Sequence, residues 1–202
     1  MDRWVRRRKR GDVQGDRGIV IHRLIAVLVA WFTVLVAFPS GASAAVEVAF
    51  YSKEFGATFP HAFVTVSGVL DGTGERVDAS YGFTAKSVSP AILMGSVAGE
   101  VVSSSPSYIA RSERHFAFSL SDEEYRRLMA TVETWRTRKQ PSYNLNRRNC
   151  VFFVAELAAA VGMQVETPKG LMKKPYSFIR HLLELNRAWL QRRGASVQQF
   201  QE

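Results

Sequence analysis

The chain has 202 residues, enough for one ordinary domain and too few for two large ones. With 47% hydrophobic and 22% charged residues it has the balance of a globular protein, which argues against extensive disorder. A single cysteine excludes a disulfide scaffold and a cysteine-rich zinc module. The net charge of +9 would suggest a nucleic-acid partner only if it belonged to the folded part.

Much of it does not. Residues 1–23 hold eight basic residues, five of them in the run Arg6-Arg7-Arg8-Lys9-Arg10. From Leu24 to Phe38 every residue but Thr33 is apolar, and Pro39-Ser40-Gly41 then leads into Ala42-Ser43-Ala44-Ala45. A basic start, a 15-residue apolar stretch and an Ala-x-Ala site form a secretory signal, with cleavage expected near Ala44. A spanning helix wants ~20 apolar residues, so an uncleaved membrane anchor is the weaker reading. The remaining 45–202 chain carries 19 basic and 15 acidic residues, a net of +4. That mild excess suits anionic wall or lipid surfaces and is no nucleic-acid footprint.

Along the mature chain, Ala45–Ser52 alternates through Val46, Val48 and Phe50 and reads as a first strand. His61–Leu70 and Glu75–Thr84 flank Asp71-Gly72-Thr73-Gly74, which makes a hairpin. Residues 85–105 give little beyond a short strand near Val101, and Tyr108–Leu120 resumes strand character. Ser121-Asp122-Glu123-Glu124 is a capping box, and the helix behind it aligns Tyr125, Leu128, Met129, Val132 and Trp135. A polar loop, Gln140–Asn149, carries Asn144, Asn146 and Asn149. Cys150–Val161 is a second helix, apolar nearly all round and therefore buried, with Gly162 at its C-terminal stop. A third, amphipathic helix runs over about Tyr176–Gln191, and the last ten residues are polar and frayed. The expectation is one α+β domain.

Cys150 is the most informative residue. It follows a polar loop and opens an apolar helix, where free backbone N–H groups and the helix dipole favour an anion. Such a position can lower a thiol pKa from about 8.5 into the range ~3.5–7.5 and supply oxyanion donors. The competing account is that lone cysteines are commonly buried as core residues. A nucleophilic cysteine needs a base. His22 belongs to the signal, His181 suits a packed or solvated place on the last helix, and His115 follows a charged run that suggests a surface role. His61 differs, since Phe59-Pro60 sets the chain's approach and the residue opens the strand Ala62-Phe63-Val64-Thr65-Val66.

The run Tyr143-Asn144-Leu145-Asn146-Arg147-Arg148-Asn149-Cys150-Val151-Phe152-Phe153-Val154 resembles the Asn-Cys-x-x-Phe-Val signature of circularly permuted papain-like enzymes. Lecithin:retinol acyltransferase-like proteins are one branch, and the Phe59-Pro60-His61-Ala62-Phe63 stretch is similar to exported members such as lipoprotein N-deacylase-like domains. The resemblance covers about His61 to Met163 and implies an antiparallel sheet packed against a helix that starts at the nucleophile. It implies Cys150 as nucleophile, His61 as base and no cofactor. Two departures weaken transfer of the acyltransferases' substrates: Val151-Phe152 replaces Glu-His after the cysteine, and Ala62 replaces Trp after the histidine.

The resemblance also implies a polar group on the next strand to orient His61. A turn at Gly72-Thr73 sets Thr84 opposite His61; a turn at Asp71-Gly72 sets Gly82 there, with Ser80 and Thr84 diagonal. Thr84 is therefore the first candidate and Ser80 the second, subject to a bulge at Gly68. Tyr81 and Tyr143 are candidate donors to substrate, against the commoner role of packed tyrosines. Scattered histidines and one cysteine do not form a metal site. Lys169–Lys174 and Arg187–Arg193 are basic stretches that a solvated face explains, with peripheral contact to anionic lipid or wall polymer as the functional reading.

These features lead to the expectation of an exported, extracytoplasmic or periplasmic thiol hydrolase or acyltransferase. Its substrate would be a cell-wall peptide amide or an acyl bond in a lipid or lipoprotein. The alternative is a catalytically silent envelope-binding module whose cysteine is structural.

Overall fold

The computed structural model describes residues 45–54, 59–87 and 89–198. The expected export signal, with its cleavage site near Ala44, therefore lies outside the described residues. The described residues form one compact α+β unit. Its strands are β1 (Val46–Lys53), β2 (His61–Val69), β3 (Arg76–Ala85), β4 (Gly99–Val102), β5 (Glu113–Leu120) and β6 (Ser196–Val197). They make an antiparallel sheet in the order β4-β3-β2-β1-β5-β6. The helices are α1 (Ala91–Met94), α2 (Pro106–Ala110), α3 (Asp122–Arg136), α4 (Cys150–Ala160), α5 (Pro175–Leu185) and α6 (Arg187–Arg192).

Strand alternation decides which side chains meet the helices. Val46, Val48 and Phe50 of β1, Ala62, Val64 and Val66 of β2, and Tyr81 and Phe83 of β3 join one core with α3, α4 and α5. Phe83, Trp135 and Phe153 pack edge-on or tilted, with Phe83–Trp135 centroids 4.7 Å apart and Trp135–Phe153 5.4 Å apart. Trp135 Nε1 donates to Glu156 at 2.7 Å, so the indole's polar edge is satisfied as the ring is buried. This contact clamps α3 to α4 and so fixes the helix that begins at Cys150.

The β2–β3 hairpin adopts the Gly72-Thr73 register, pairing Val69 with Arg76 and continuing unshifted to Phe63 with Gly82. The Asp122 carboxylate accepts the N–H groups of Asp71 and Gly72 at 3.1 and 2.8 Å, tying the turn to the start of α3. Gly68 introduces no slip into this ladder. Its positive φ of 142° and the nearness of Ala45 explain the glycine, because a Cβ there would lie 2.1 Å from the Ala45 carbonyl oxygen.

Other expectations need correction. The segment expected to begin a strand at Tyr108 first makes α2, because Ser105 caps it and Pro106 occupies its first turn. The third helix is two helices, α5 and α6, meeting at Asn186, whose side chain bonds the backbone of Gln164 and Leu182. The polar tail is not frayed throughout, since Ser196–Val197 pairs with β5. The capping box stands as expected, with Ser121 and Glu124 satisfying each other's backbone N–H, and Gly162 follows α4 with φ of 87°.

Gly68→Ala is expected to lower stability by about 2–4 kcal/mol, from strained φ and the clash with Ala45. Urea unfolding of the two proteins measures it, and an unchanged midpoint would contradict the close approach.

Candidate active site

The loop that sequence shows only as polar is ordered by its own amides. Gln140 accepts the Gly99 N–H and donates to the Gly99 carbonyl, each at 2.9 Å, in the manner of a neighbouring strand. Tyr143 and Val97 exchange two backbone hydrogen bonds of 3.0 and 2.9 Å. The Asn144 side chain donates to Ser96 Oγ at 3.1 Å and accepts the Asn146 N–H at 2.9 Å.

Asn149 completes the loop and starts α4. Its Oδ1 accepts the N–H groups of Val151 and Phe152 at 2.8 and 3.3 Å, while Nδ2 donates to the carbonyls of Leu145 and Met172 at 2.9 and 2.8 Å. The amide is buried, so these four bonds replace its water contacts. They also hold the turn before Pro175 against the helix that carries the thiol. The sequence motif marks Asn149, but its capping role is visible only in this bonding.

Cys150 is buried at the first position of α4. The nearby backbone N–H groups of Ala62, Cys150 and Val151, the last of them bonded to Asn149 Oδ1, favour the thiolate. Burial outweighs them and pushes the thiol pKa up to about 11. The structure therefore holds a neutral thiol beside donors suited to an anion.

The sulfur faces a pocket of about 570 Å³. Phe59, Ile92, Leu93, Leu145, Val151 and Pro175 give it an apolar wall, interrupted by Thr84, Ser89 and Lys173. Of the candidate site residues, Cys150, Thr84 and Tyr143 come together in this wall. The Tyr143 ring lies 5.8 Å from that of Phe83; burial first, and the neighbouring thiol second, hold its hydroxyl protonated well above the usual range. Tyr81 lies elsewhere, in the core beneath Arg136, whose guanidinium is 5.4 Å from its ring centroid. Ser80 is engaged by the Ser104 N–H at 2.7 Å.

His61 opens β2 immediately before Ala62 and pairs with Lys53; it lies beyond the last β2–β3 pair, Phe63 with Gly82, whose register extended by two residues points to Thr84. Its ring lies on the strand face it shares with Phe63, 6.0 Å away between centroids, while Ala62 faces the core. Nε2 sits only 2.4 Å from where a Cβ on Gly82 would be, so that glycine makes room for the imidazole. Loss of water around the ring pushes its pKa down to about 4, leaving it neutral. The strand thus brings a backbone N–H to the thiol on one side and carries the imidazole on the other. The pocket wall does not include His61.

The placement of His115 differs from the expected surface role. It is fully buried where β5 bulges against β1, between pairs Phe50–Phe116 and Tyr51–Arg114, and its Nε2 shares a 2.7 Å hydrogen bond with Ser52 Oγ. Charge in the preceding run concealed this, because the bulge turns one residue inward. His181, on α5, lies 3.5 Å from the carboxylate of Glu166 in the preceding loop, the packed and partly solvated place expected of it.

Comparison with known protein families, curated proteins and solved structures gives no match to this chain. Among the described residues no cluster of three or more His, Cys, Asp or Glu is placed to hold a metal ion.

Asn149→Ala is expected to cost about 3 kcal/mol, combining a lost helix cap with two buried carbonyls left without donors. Asn149→Asp keeps the cap acceptor but loses both donors and should also destabilise. Chemical denaturation checks both; wild-type stability in Asn149→Ala would remove the amide from its central role.

Proposed function

We propose that the chain is an exported thiol hydrolase or acyltransferase with a permuted papain-like fold, acting on an acyl ester or amide of the cell envelope. The observation that supports this reading is the seat of Cys150, which opens α4 against an apolar pocket with N–H donors around its sulfur. An antiparallel sheet with the histidine strand preceding the cysteine helix agrees with the permuted order. The pocket's apolar wall favours an acyl chain in a lipid or lipoprotein over a polar stem peptide of the cell wall.

In this reading Cys150 Sγ attacks the substrate carbonyl, forming a carbon–sulfur bond as the thiol proton passes to His61. The oxyanion faces the N–H groups of Cys150 and Ala62. Collapse breaks the bond to the alcohol or amine, which leaves with the proton from His61. Water or another acceptor then cleaves the thioester and regenerates the thiol. Proton transfer requires the imidazole to leave Phe63 and Gly82 and swing past the start of β2 toward the thiol. Thr84 is the hydroxyl available to orient it, and Tyr143 is the donor nearest the substrate; neither step needs a cofactor.

A second reading is an envelope module that binds an apolar ligand without chemistry. The position of the imidazole behind β2 and the neutral thiol favour it.

An activated long-chain acyl thioester separates the two. The enzymatic reading predicts a covalent acyl adduct on Cys150, located by peptide mass spectrometry and absent in Cys150→Ser. His61→Gln should slow adduct formation about 10²–10⁴-fold, the usual range for loss of a general base. Reversible binding of equal strength in wild type and Cys150→Ser, with no adduct, would overturn catalysis and leave the binding module.

A further inference from the structure

We infer that the rim of the thiol pocket is a membrane-docking face that seats on an anionic lipid bilayer. Phe59, Leu93 and Met94 are 65%, 81% and 90% exposed, three of the four large hydrophobic side chains that stand exposed among the described residues. Phe59 and Leu93 line the pocket, and Met94 follows directly in α1, a helix with no buried residue. Packing gives these side chains no reason to be apolar. A cluster of exposed apolar residues around an apolar cavity is the signature of an interaction surface.

Charge selects the partner. Among the described residues Lys173 is the only charged residue in the pocket wall. No aspartate or glutamate is among the described residues of this wall, although Glu100 pairs with Thr84 in the sheet. Lys86, Arg147, Arg148 and Lys174 neighbour wall residues in sequence, and Lys169 lies in the same loop as Lys173. Apolar tips flanked by cations match a bilayer with anionic headgroups, which accepts the tips among its acyl chains and the lysines at its surface.

Geometry supports the same partner. The Asn149 amide holds the Met172 carbonyl at 2.8 Å, so Lys173 is fixed close to the helix that carries Cys150. A face seated by Phe59, Leu93 and Met94 turns the pocket mouth toward the bilayer, and an acyl chain enters without crossing water. The docking rests on the composition of the rim and is independent of whether the thiol reacts.

Among the described residues every buried residue of the core lies between Val46 and Leu190, and the 45–202 chain suits the test without the expected apolar export segment. Sedimentation with vesicles of phosphatidylcholine and phosphatidylglycerol in equal parts should carry the protein down, and pure phosphatidylcholine should carry much less. The combined Phe59→Ser, Leu93→Ser, Met94→Ser variant should bind about tenfold or more weakly, as expected for three apolar side chains removed from lipid. Because these side chains are exposed, its thermal transition should match wild type. Lys169→Gln, Lys173→Gln and Lys174→Gln together should erase the preference for the anionic vesicles, as should high salt. Cys150→Ser should bind as wild type does, which separates docking from catalysis. Binding unaffected by the triple serine variant, or no binding to anionic vesicles, overturns the inference. Self-association abolished by the serine variant, without vesicle binding, would assign the rim to a second copy instead.

Discussion

The Asn149 side chain is the constraint on which the site depends. One amide caps α4 with its oxygen and holds the carbonyls of Leu145 and Met172 with its nitrogen. Three pieces of chain are thereby joined at one buried point, where Met172 and Val151 also share the apolar core. The polar loop, the helix carrying the thiol and the turn before α5 take their positions from it. Glutamine would carry the same groups one methylene too far, and aspartate would turn a carboxylate against two carbonyl oxygens. The remaining support is apolar: Phe83, Trp135 and Phe153 fix α4 laterally, while the N–H of Ala62 meets its first residue from the sheet.

The electrostatics of this arrangement point to neutral partners. Burial raises the thiol and lowers the imidazole, and both shifts oppose an ion pair. A helix start and three N–H groups do favour the thiolate, but the surrounding apolar side chains outweigh them. A neutral thiol beside oxyanion donors resembles a serine nucleophile in its demands, because the proton must leave as the carbonyl is attacked. A buried acyl chain would add to the exclusion of water from the same pocket. In the proposed reading the apolar rim and the neutral site belong to one design, in which the substrate arrives from a non-aqueous phase.

Much of the fold was legible because it obeys short-range rules. The capping box at Ser121, the alternation of β1, the hairpin around Gly72 and the stop at Gly162 all follow from local chemistry. Cys150 as the first residue of a buried helix was legible for the same reason. Other features depend on distant groups. Nothing local shows that Asn186 breaks the last helix through Gln164, or that Gly82 is empty so that His61 can lie there. His115 looked like a surface residue because its neighbours are charged, and only a bulge against β1 turns it inward. Thr84 was reached by counting register, and the ladder keeps that register from Val69–Arg76 to its last pair, Phe63–Gly82, because Gly68 produces no slip. The face to which the His61 ring turns could not be counted in that way, since it depends on which side of β2 the helices cover.

The most direct test of a neutral thiol at the helix start is the rate of iodoacetamide alkylation of Cys150 as a function of pH, on folded wild type and His61→Ala. Because the thiol is held up at about 11, the thiolate fraction should rise about tenfold per pH unit through the neutral and mildly alkaline range. Alkylation should therefore be slow at pH 6–7 and climb without a plateau toward pH 10, with the same profile in both proteins. A plateau already reached near pH 6, and lost in His61→Ala, would contradict the account and show a thiolate–imidazolium pair in the resting protein.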